Sequence, residues 1–235
     1  MRILAIETAC SACSAALWAD GGITASRFAR MERGQAEAIM PMVLEVVGGA
    51  CGGFAALDLV AVTVGPGSFT GLRTGLATAR GIALARGLPL AGVTTTEAVA
   101  LAARDAAPPE AAGLPIMVAL ESRRADLYLQ RFDAALEPLE GPEAVGPHDA
   151  AARLPDGGAL LAGDAVPRLL AASGARARRC IVARSATLPD AARVAEIAAR
   201  RWAGRRGGEP EDAVAPLYLR PPEARRPVAG GRLRP

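Results

Sequence analysis

The chain contains no lysine; all 27 of its basic residues are arginine. That absence removes whole chemistries. A Walker phosphate loop needs a lysine on the β- and γ-phosphates. A protein kinase needs the strand lysine that pairs with the same groups. Schiff-base and pyridoxal chemistry need a lysine amine. Histidine is almost as scarce. His148 is the only one, and Gly146-Pro147-His148-Asp149 reads as a turn that leaves it a solvated loop residue. A serine–histidine–aspartate triad would have to use it, and zinc sites built on two or three histidines are excluded. Four cysteines in 235 residues make no disulfide framework. Cys10-Ser11-Ala12-Cys13 has C-x-x-C spacing, but it has no second pair and lacks the strand-then-helix setting of a thioredoxin-like motif. Its cysteines read as small buried thiols. Aromatic residues make up only 3%, so the core must be built from Ala, Val, Leu and Ile. No apolar run approaches the roughly 18 residues that span a membrane, and Glu7 interrupts the first apolar stretch too early for a signal peptide. The expectation is a soluble, cytoplasmic protein with no membrane contact.

What is present is globular. The apolar fraction is 51% and the charged fraction 22%, enough to bury a core, and the length suits one large domain or two small ones. The net charge of +3 is unevenly spread. From Arg200 to the end, nine arginines face four acids, a local +5, which leaves 18 arginines against 20 acids, or −2, for the rest. A basic end can meet RNA phosphates by releasing their counterions, or simply solubilise the chain.

Arg2 to Ile6 reads as a buried strand, Cys13 to Trp18 as a second, and Ile23 to Phe28 as a third after the Asp20-Gly21-Gly22 hairpin signal. Gln35 to Val47 carries Ile39, Met42, Val43, Val46 and Val47 at helical spacing, and Pro41 is expected to kink that helix or shift its start. Leu57 to Val64 is a strand buried on both faces. A helix from about Thr70 to Arg86 places Leu72, Leu76, Ala79, Ala83 and Leu84 on one side. Leu88 to Val93 is a further strand, and Thr95 or Thr96 can cap the helix that follows. Ala106 to Glu110 is Pro-rich and reads as a linker. After it come strands at Ile116–Leu120, Asp126–Phe132 and Ala159–Ala162, a helix opened by Gly163-Asp164, an Ala-rich helix over Ala191–Trp202, and a last apolar piece, Val214 to Leu219. The order suggests two similar α/β lobes: residues 1–105, residues 106–220, and a basic tail, 221–235, expected to fray.

The sharpest feature is Gly65-Pro66-Gly67-Ser68-Phe69-Thr70-Gly71-Leu72-Arg73-Thr74-Gly75, where a buried strand turns tightly into a helix. A helix N-terminus presents unpaired donors and partial positive charge, which suits phosphate or carboxylate. The spacing misses the dinucleotide fingerprint by one residue. Two readings stay open: the turn cradles an anion, or its glycines let the helix lie close against a neighbour.

Several segments together resemble the TsaB family. Ile3-Leu4-Ala5-Ile6-Glu7-Thr8 followed by Cys13 to Trp18 is similar to its opening hairpin. Gln35 to Met42 resembles its "H-x-Q/E-x-L-x-P-M" helix, and Gly65 to Arg73 matches its "G-x-G-P-G-S-F-T-G-x-R" hallmark from the second glycine onward. Ala119 to Arg124 with Leu127-Tyr128 resembles its second-lobe strand pair, and Ala215 to Arg220 its closing "P-x-Y-L-R". The resemblance spans nearly the whole chain in order. Gln35 stands where the family often has His, and Glu7 where it often has Asp.

The resemblance implies an α/β fold of two tandem actin/Hsp70-like (ribonuclease H-like) lobes, each a mixed sheet with flanking helices. It implies a non-catalytic subunit of the complex that attaches threonylcarbamoyl to the tRNA adenosine 3′ of the anticodon. Its partners would be a TsaD-like catalytic subunit, a TsaE-like ATPase and tRNA through the complex, with a homodimer when the partner is absent. No catalytic residue, metal site or intrinsic cofactor is implied; ATP or ADP and Mg²⁺ would enter at the level of the complex. Glu7, Thr8, Gly65, Gly67, Ser68, Thr70 and Gly71 are candidates for a vestigial anion site. Gln35, Ile39, Met42, Val43 and Val46 on one helix, with Leu72, Arg73, Leu76, Ala79, Arg80 and Ala83 on the next, are candidates for a helical partner interface. The competing reading is a nucleotide-dependent transferase or peptidase-like hydrolase acting alone, carried by Glu7, Ser68 and Thr70. On the first reading, Ala79→Glu or Ile39→Glu splits the heterodimer and leaves the monomer folded.

Overall fold

The computed structural model describes residues 1–204 and 214–220. The basic tail, 221–235, lies outside them. The first sheet is built from β1 (Ile3–Glu7), β2 (Ala12–Ala19), β3 (Gly22–Arg30), β4 (Leu59–Gly65) and β5 (Leu90–Thr94), in the order β3-β2-β1-β4-β5. The second uses β6 (Ile116–Glu121), β7 (Leu127–Phe132), β8 (Glu143–Val145), β9 (Leu160–Ala162) and β10 (Ile181–Val182), in the order β10-β9-β6-β7-β8. Read from the other edge, the second order is the first repeated. In each sheet the first three strands pair antiparallel and the last two join in parallel. Both lobes are therefore one mixed-sheet pattern used twice, although no sequence repeat announces it.

Among the described residues, six α-helices flank the sheets: α1 (Gln35–Gly48), α2 (Phe69–Arg86), α3 (Thr95–Asp105), α4 (Pro147–Ala152), α5 (Val166–Ser173) and α6 (Ala191–Ala203). Strand pleating decides which helix meets which face. Leu4 and Ile6 of β1 point to the core beneath α1 and α2, while Ile3 and Ala5 point to the core that holds α6. Among the described residues, no helix is long and apolar enough to cross a membrane.

Several boundaries differ from expectation for local reasons. Asp20 and Gly21 both have positive φ, the geometry of a tight two-residue hairpin, so β3 starts at Gly22. Helix α1 runs through Pro41 unbroken. The cap of α3 is Thr94, one residue before the expected threonines; its hydroxyl accepts from the Glu97 N–H while the Glu97 carboxylate accepts from the Thr94 N–H, a reciprocal capping box. Gly163-Asp164 does not open α5, which starts at Val166. The expected turn at His148 is the exposed first turn of α4, with Pro147 just inside it. Strand β8, helix α4 and strand β10 are too short to carry a periodic signal.

Helix α6, which the sequence order assigns to the second lobe, packs on the first sheet. Ala191, Val194, Ala195, Ala198 and Ala199 meet Ile3, Ala5, Ala16, Leu59 and Ala61. Small side chains on both surfaces permit that close approach, and the Ala191 N–H donates to Ser14 Oγ at 2.9 Å. The chain thus returns from the second lobe to brace the first.

The expected partner stripe is also overturned. Ile39, Val43, Val46, Leu76, Ala79 and Ala83 lie buried in one core with Leu4, Ile6, Val60 and Val62, Leu72 is fully buried, and Met42 packs partly against that same core. A helix in a globular domain turns its apolar stripe to its own core, and these two do so. Gln35 is occupied as well: its Nε2 donates to Cys10 O at 3.3 Å and Met31 O at 3.2 Å. Of the eleven candidates only Arg73 and Arg80 are exposed. The outward surface of the pair carries instead Met40, Leu44 (54% exposed), Phe69 and Leu84 (86% exposed). Ala79 is completely buried, so Ala79→Glu is expected to cost about 3–5 kcal/mol of folding stability as an uncompensated buried charge. Urea unfolding of the isolated chain checks this; a variant as stable as the parent would show the stripe faces outward after all.

Candidate functional site

The chemistry expected of this fold belongs where β1 ends and α2 begins, at the cleft between the lobes. Glu7 is the last residue of β1 and is fully buried. Its Oε1 accepts from the Ala9 N–H at 2.7 Å and the Cys10 N–H at 3.3 Å, and its Oε2 accepts from the Thr63 hydroxyl at 2.5 Å. The carboxyl is thus bent back to hold its own turn. Burial pushes its pKa up to about 7, against the pull of these hydrogen bonds. The same surroundings raise the neighbouring thiols: burial lifts Cys10, and lifts Cys13 to about 11, which suits inert thiols rather than nucleophiles.

The glycine-rich turn is spent in the same way. The Ser68 N–H donates to Ala9 O at 2.7 Å, and Ser68 Oγ accepts from the Gly71 N–H at 3.0 Å as the cap of α2. The Thr8 hydroxyl donates to Gly71 O at 2.7 Å. A Cβ at Gly67 would overlap the Ala9 carbonyl, one at Gly71 would overlap the Thr8 carbonyl, and one at Gly75 would come within 2.5 Å of Thr8 Oγ1. Of the two open readings, close packing is the one realised. Part of its signal was in the sequence: Gly71 and Gly75, four residues apart, lie on one side of the helix, with Gly67 in the turn before it.

Arg73 is held among aromatic side chains. Its guanidinium lies 3.7 Å from the Phe69 ring centre, and its Nε donates to the Tyr218 hydroxyl at 3.1 Å. Thr70 is exposed beside Phe69. Across the cleft, Asp164 Oδ1 accepts from the Glu121 N–H at 2.8 Å, and burial raises its pKa. Gly163, with φ of 105°, leaves no room for a side chain against the Ala119 carbonyl. The second lobe's glycine turn therefore also packs on its first strand. Arg123, in a turn with φ of 60°, donates to Ser11 Oγ at 3.2 Å. The space left between Ala9, Ser68, Glu121 and Arg123 is about 30 Å³, room for a water and little more. Among the described residues no group of His, Cys, Asp and Glu could hold a metal. In this arrangement the residues do not fit a nucleoside triphosphate: the acid and several of the turn's polar groups are already committed to the chain itself.

Sequence reasoning gave no site role to Asp164, to Ala9 as the surface on which α2 rests, or to residues 214–220, which it read only as a closing family motif and which contact the start of α2. The first two are ordinary residues made special only by what the fold brings to them.

Two lobes of one repeated topology, each with a glycine turn docked on its first strand, define the two-lobed α/β class of actin-like folds. The family model for TsaD, tRNA N6-adenosine threonylcarbamoyltransferase, matches residues 21–158. The chain is 37% identical over 132 residues to the Escherichia coli tRNA threonylcarbamoyladenosine biosynthesis protein TsaB, 56% of this chain and 55% of that one. It thus spans about half the length of that relative. It is 31% identical over 230 residues to a Mycobacterium tuberculosis protein, 95% of this chain and 93% of the other. The fold of YeaZ from Pseudomonas aeruginosa superposes with a TM-score of 0.76 at 24% identity, over 93% of this chain and 99% of that one. The chain belongs to this family and is a TsaB-family protein.

Two outcomes follow from the site. Gly71→Ala should lose about 1–3 kcal/mol of stability, because the added methyl meets backbone that cannot yield. Gly81→Ala, on the same helix with open space around it, should gain up to about 1 kcal/mol; urea midpoints compare the two. Glu7 gives a pH signature. Between the unfolded value of 4.5 and about 7, the folded chain keeps a proton that the unfolded chain has released. The stability linked to the neutral carboxyl is complete below that window and is lost as pH rises through it, on the order of 3 kcal/mol in total. Glu7→Gln, neutral throughout, should flatten the decline between pH 5 and pH 8.

Proposed function

We propose that this chain is a non-catalytic subunit required for N6-threonylcarbamoyl modification of the tRNA adenosine 3′ of the anticodon. In this reading it is the dimerisation scaffold for a TsaD-like catalytic subunit, working with a TsaE-like ATPase in the cytoplasm. The observation that carries it is the filled cleft. Glu7 and the 65–71 turn, which a catalytic relative would aim at a ligand, are turned onto the chain's own backbone. Family membership supports the pathway.

The scaffold surface follows from the correction above. Helices α1 and α2 lie side by side on one core, with Met40, Leu44, Phe69 and Leu84 left in solvent. We take these exposed apolar residues of the two adjacent helices as the association surface. A matching pair of helices on a partner would complete a four-helix packing, and an interface of about 1,600 Å² is the ordinary size. Self-association through the same surface is the expected state when the partner is missing. ATP or ADP with Mg²⁺ enters through the partners. The alternative, a transferase or hydrolase acting alone through Glu7, Ser68 and Thr70, would need those groups freed from their present hydrogen bonds.

Leu84→Glu, at a position already in water, should change monomer stability by no more than about 0.5 kcal/mol. It should nevertheless reduce co-elution with the TsaD-like subunit and lower tRNA modification in a reconstituted mixture. Modification at full rate without this chain would overturn the reading, as would tight ATP binding with turnover by the chain alone.

A further inference from the structure

Residues 214–220 form neither helix nor strand, yet they are held at both ends. On the first lobe, the Leu217 N–H donates to Val64 O at 2.7 Å. Gly65 makes that approach possible: a Cβ there would stand 2.9 Å from Leu217 O. Arg80 donates to Val214 O at 2.6 Å, and Arg73 to the Tyr218 hydroxyl at 3.1 Å. The Phe69 and Tyr218 rings lie 5.4 Å apart. On the second lobe, Arg220 pairs with Asp126, and its guanidinium lies 6.0 Å from the Tyr128 ring centre. Asp126 is itself placed by the Ser122 hydroxyl, which donates to its Oδ1 at 2.6 Å. Seven residues therefore run from one wall of the cleft to the other.

The two anchorages are unequal. The first is a set of backbone, side-chain and ring contacts. The second is a single side chain, Arg220, held by its ion pair with Asp126, whose partners are 23% and 25% exposed, and by the Tyr128 ring; an ion pair is screened by salt to the extent that solvent reaches it. Arg73 and Arg80, the only exposed members of the candidate interface, are both gripped by this strap.

We propose that Val214–Arg220 is a releasable latch, with the Arg220–Asp126 pair as its bolt, that links the turn at residues 122–128 of the second lobe to the arrangement of Arg73 and Arg80 on the outer surface of α2. The link to partner docking rests on the reading of that surface given above; the latch does not. Binding linkage is reciprocal, so a partner that engages Arg73 or Tyr218 alters the latch, and release of the latch alters the partner's affinity.

Hydrogen exchange on the full chain tests this. Arg220→Ala and Asp126→Asn should each speed exchange roughly threefold, the scale of a partly exposed ion pair, both at residues 122–128 and at Phe69–Arg73, with β1 and β4 unchanged. Raising salt should do the same to the parent and nothing further to the variants. Acceleration confined to residues 217–220 overturns the latch. So does loss of helical circular dichroism in both variants, because the pair would then be part of the core. In a separate arm, added TsaD-like subunit should change exchange at 122–128. Co-elution without that change overturns the linkage. Failure of the parent to co-elute overturns the scaffold reading and leaves the exchange result standing.

Discussion

Glu7, Thr8 and Ala9 end the central strand of the first sheet, and the first two turns of α2 rest directly on them. Glycines at 67, 71 and 75 bring the two backbones together with no side chain between. The Ser68 N–H to Ala9 O and Thr8 hydroxyl to Gly71 O bonds then stitch the contact. The position of α2 follows from this joint. So does the burial of Leu72, Leu76 and Ala79, the direction of the outward apolar surface and the near closure of the cleft. Charge follows geometry here: the Glu7 carboxyl is sealed beneath its own turn, and that burial raises its pKa.

The second lobe repeats the device with other atoms. Gly163 stands against Ala119 as Gly71 stands against Thr8, and Asp164 caps the end of β6 much as Glu7 caps the turn after β1. In this duplicated topology both glycine turns pack on the first strand of their own sheet. The lobes are joined by several minor links of different kinds. The Thr96 hydroxyl meets the buried Gln130 side chain, Arg193 on α6 pairs with Asp105 on α3, Arg30 donates to Thr187, and Arg220 meets Asp126. They supplement a buried apolar core that the two lobes share, in which Cys10, Val99, Ala100 and Ala103 pack with Ile116, Val118, Leu120 and Phe132.

The two helices α1 and α2 separate a core face from a solvent face. The inner stripe of α1 and α2 fills the core with Ile, Val, Leu and Ala. The outer face carries fewer apolar residues, spaced among Glu37, Glu45, Arg73 and Arg80. Such a mixed surface tolerates water when alone and buries when paired. Periodicity alone could not separate these roles, because the stronger apolar stripe is the one the monomer needs for itself.

Much of the fold was legible in the residues. The strand–turn–strand opening, the amphipathic helices, the Asp20-Gly21 hairpin and the glycine-rich turn all carry local signals that act within a few positions. The absence of lysine and the single histidine likewise excluded chemistries before any coordinate was known. Contacts between distant parts of the chain decided the rest. Helix α6 returns to a sheet more than a hundred residues earlier because two small-residue surfaces fit. Glu7 and the glycines meet Ala9 and Thr8, contacts that no local pattern announces. Residues 214–220 cross the cleft because Val64, Arg73 and Asp126 each hold one point of the segment. Periodicity and capping act along the chain and can be read from it; what a face meets depends on three-dimensional packing, which no local pattern encodes.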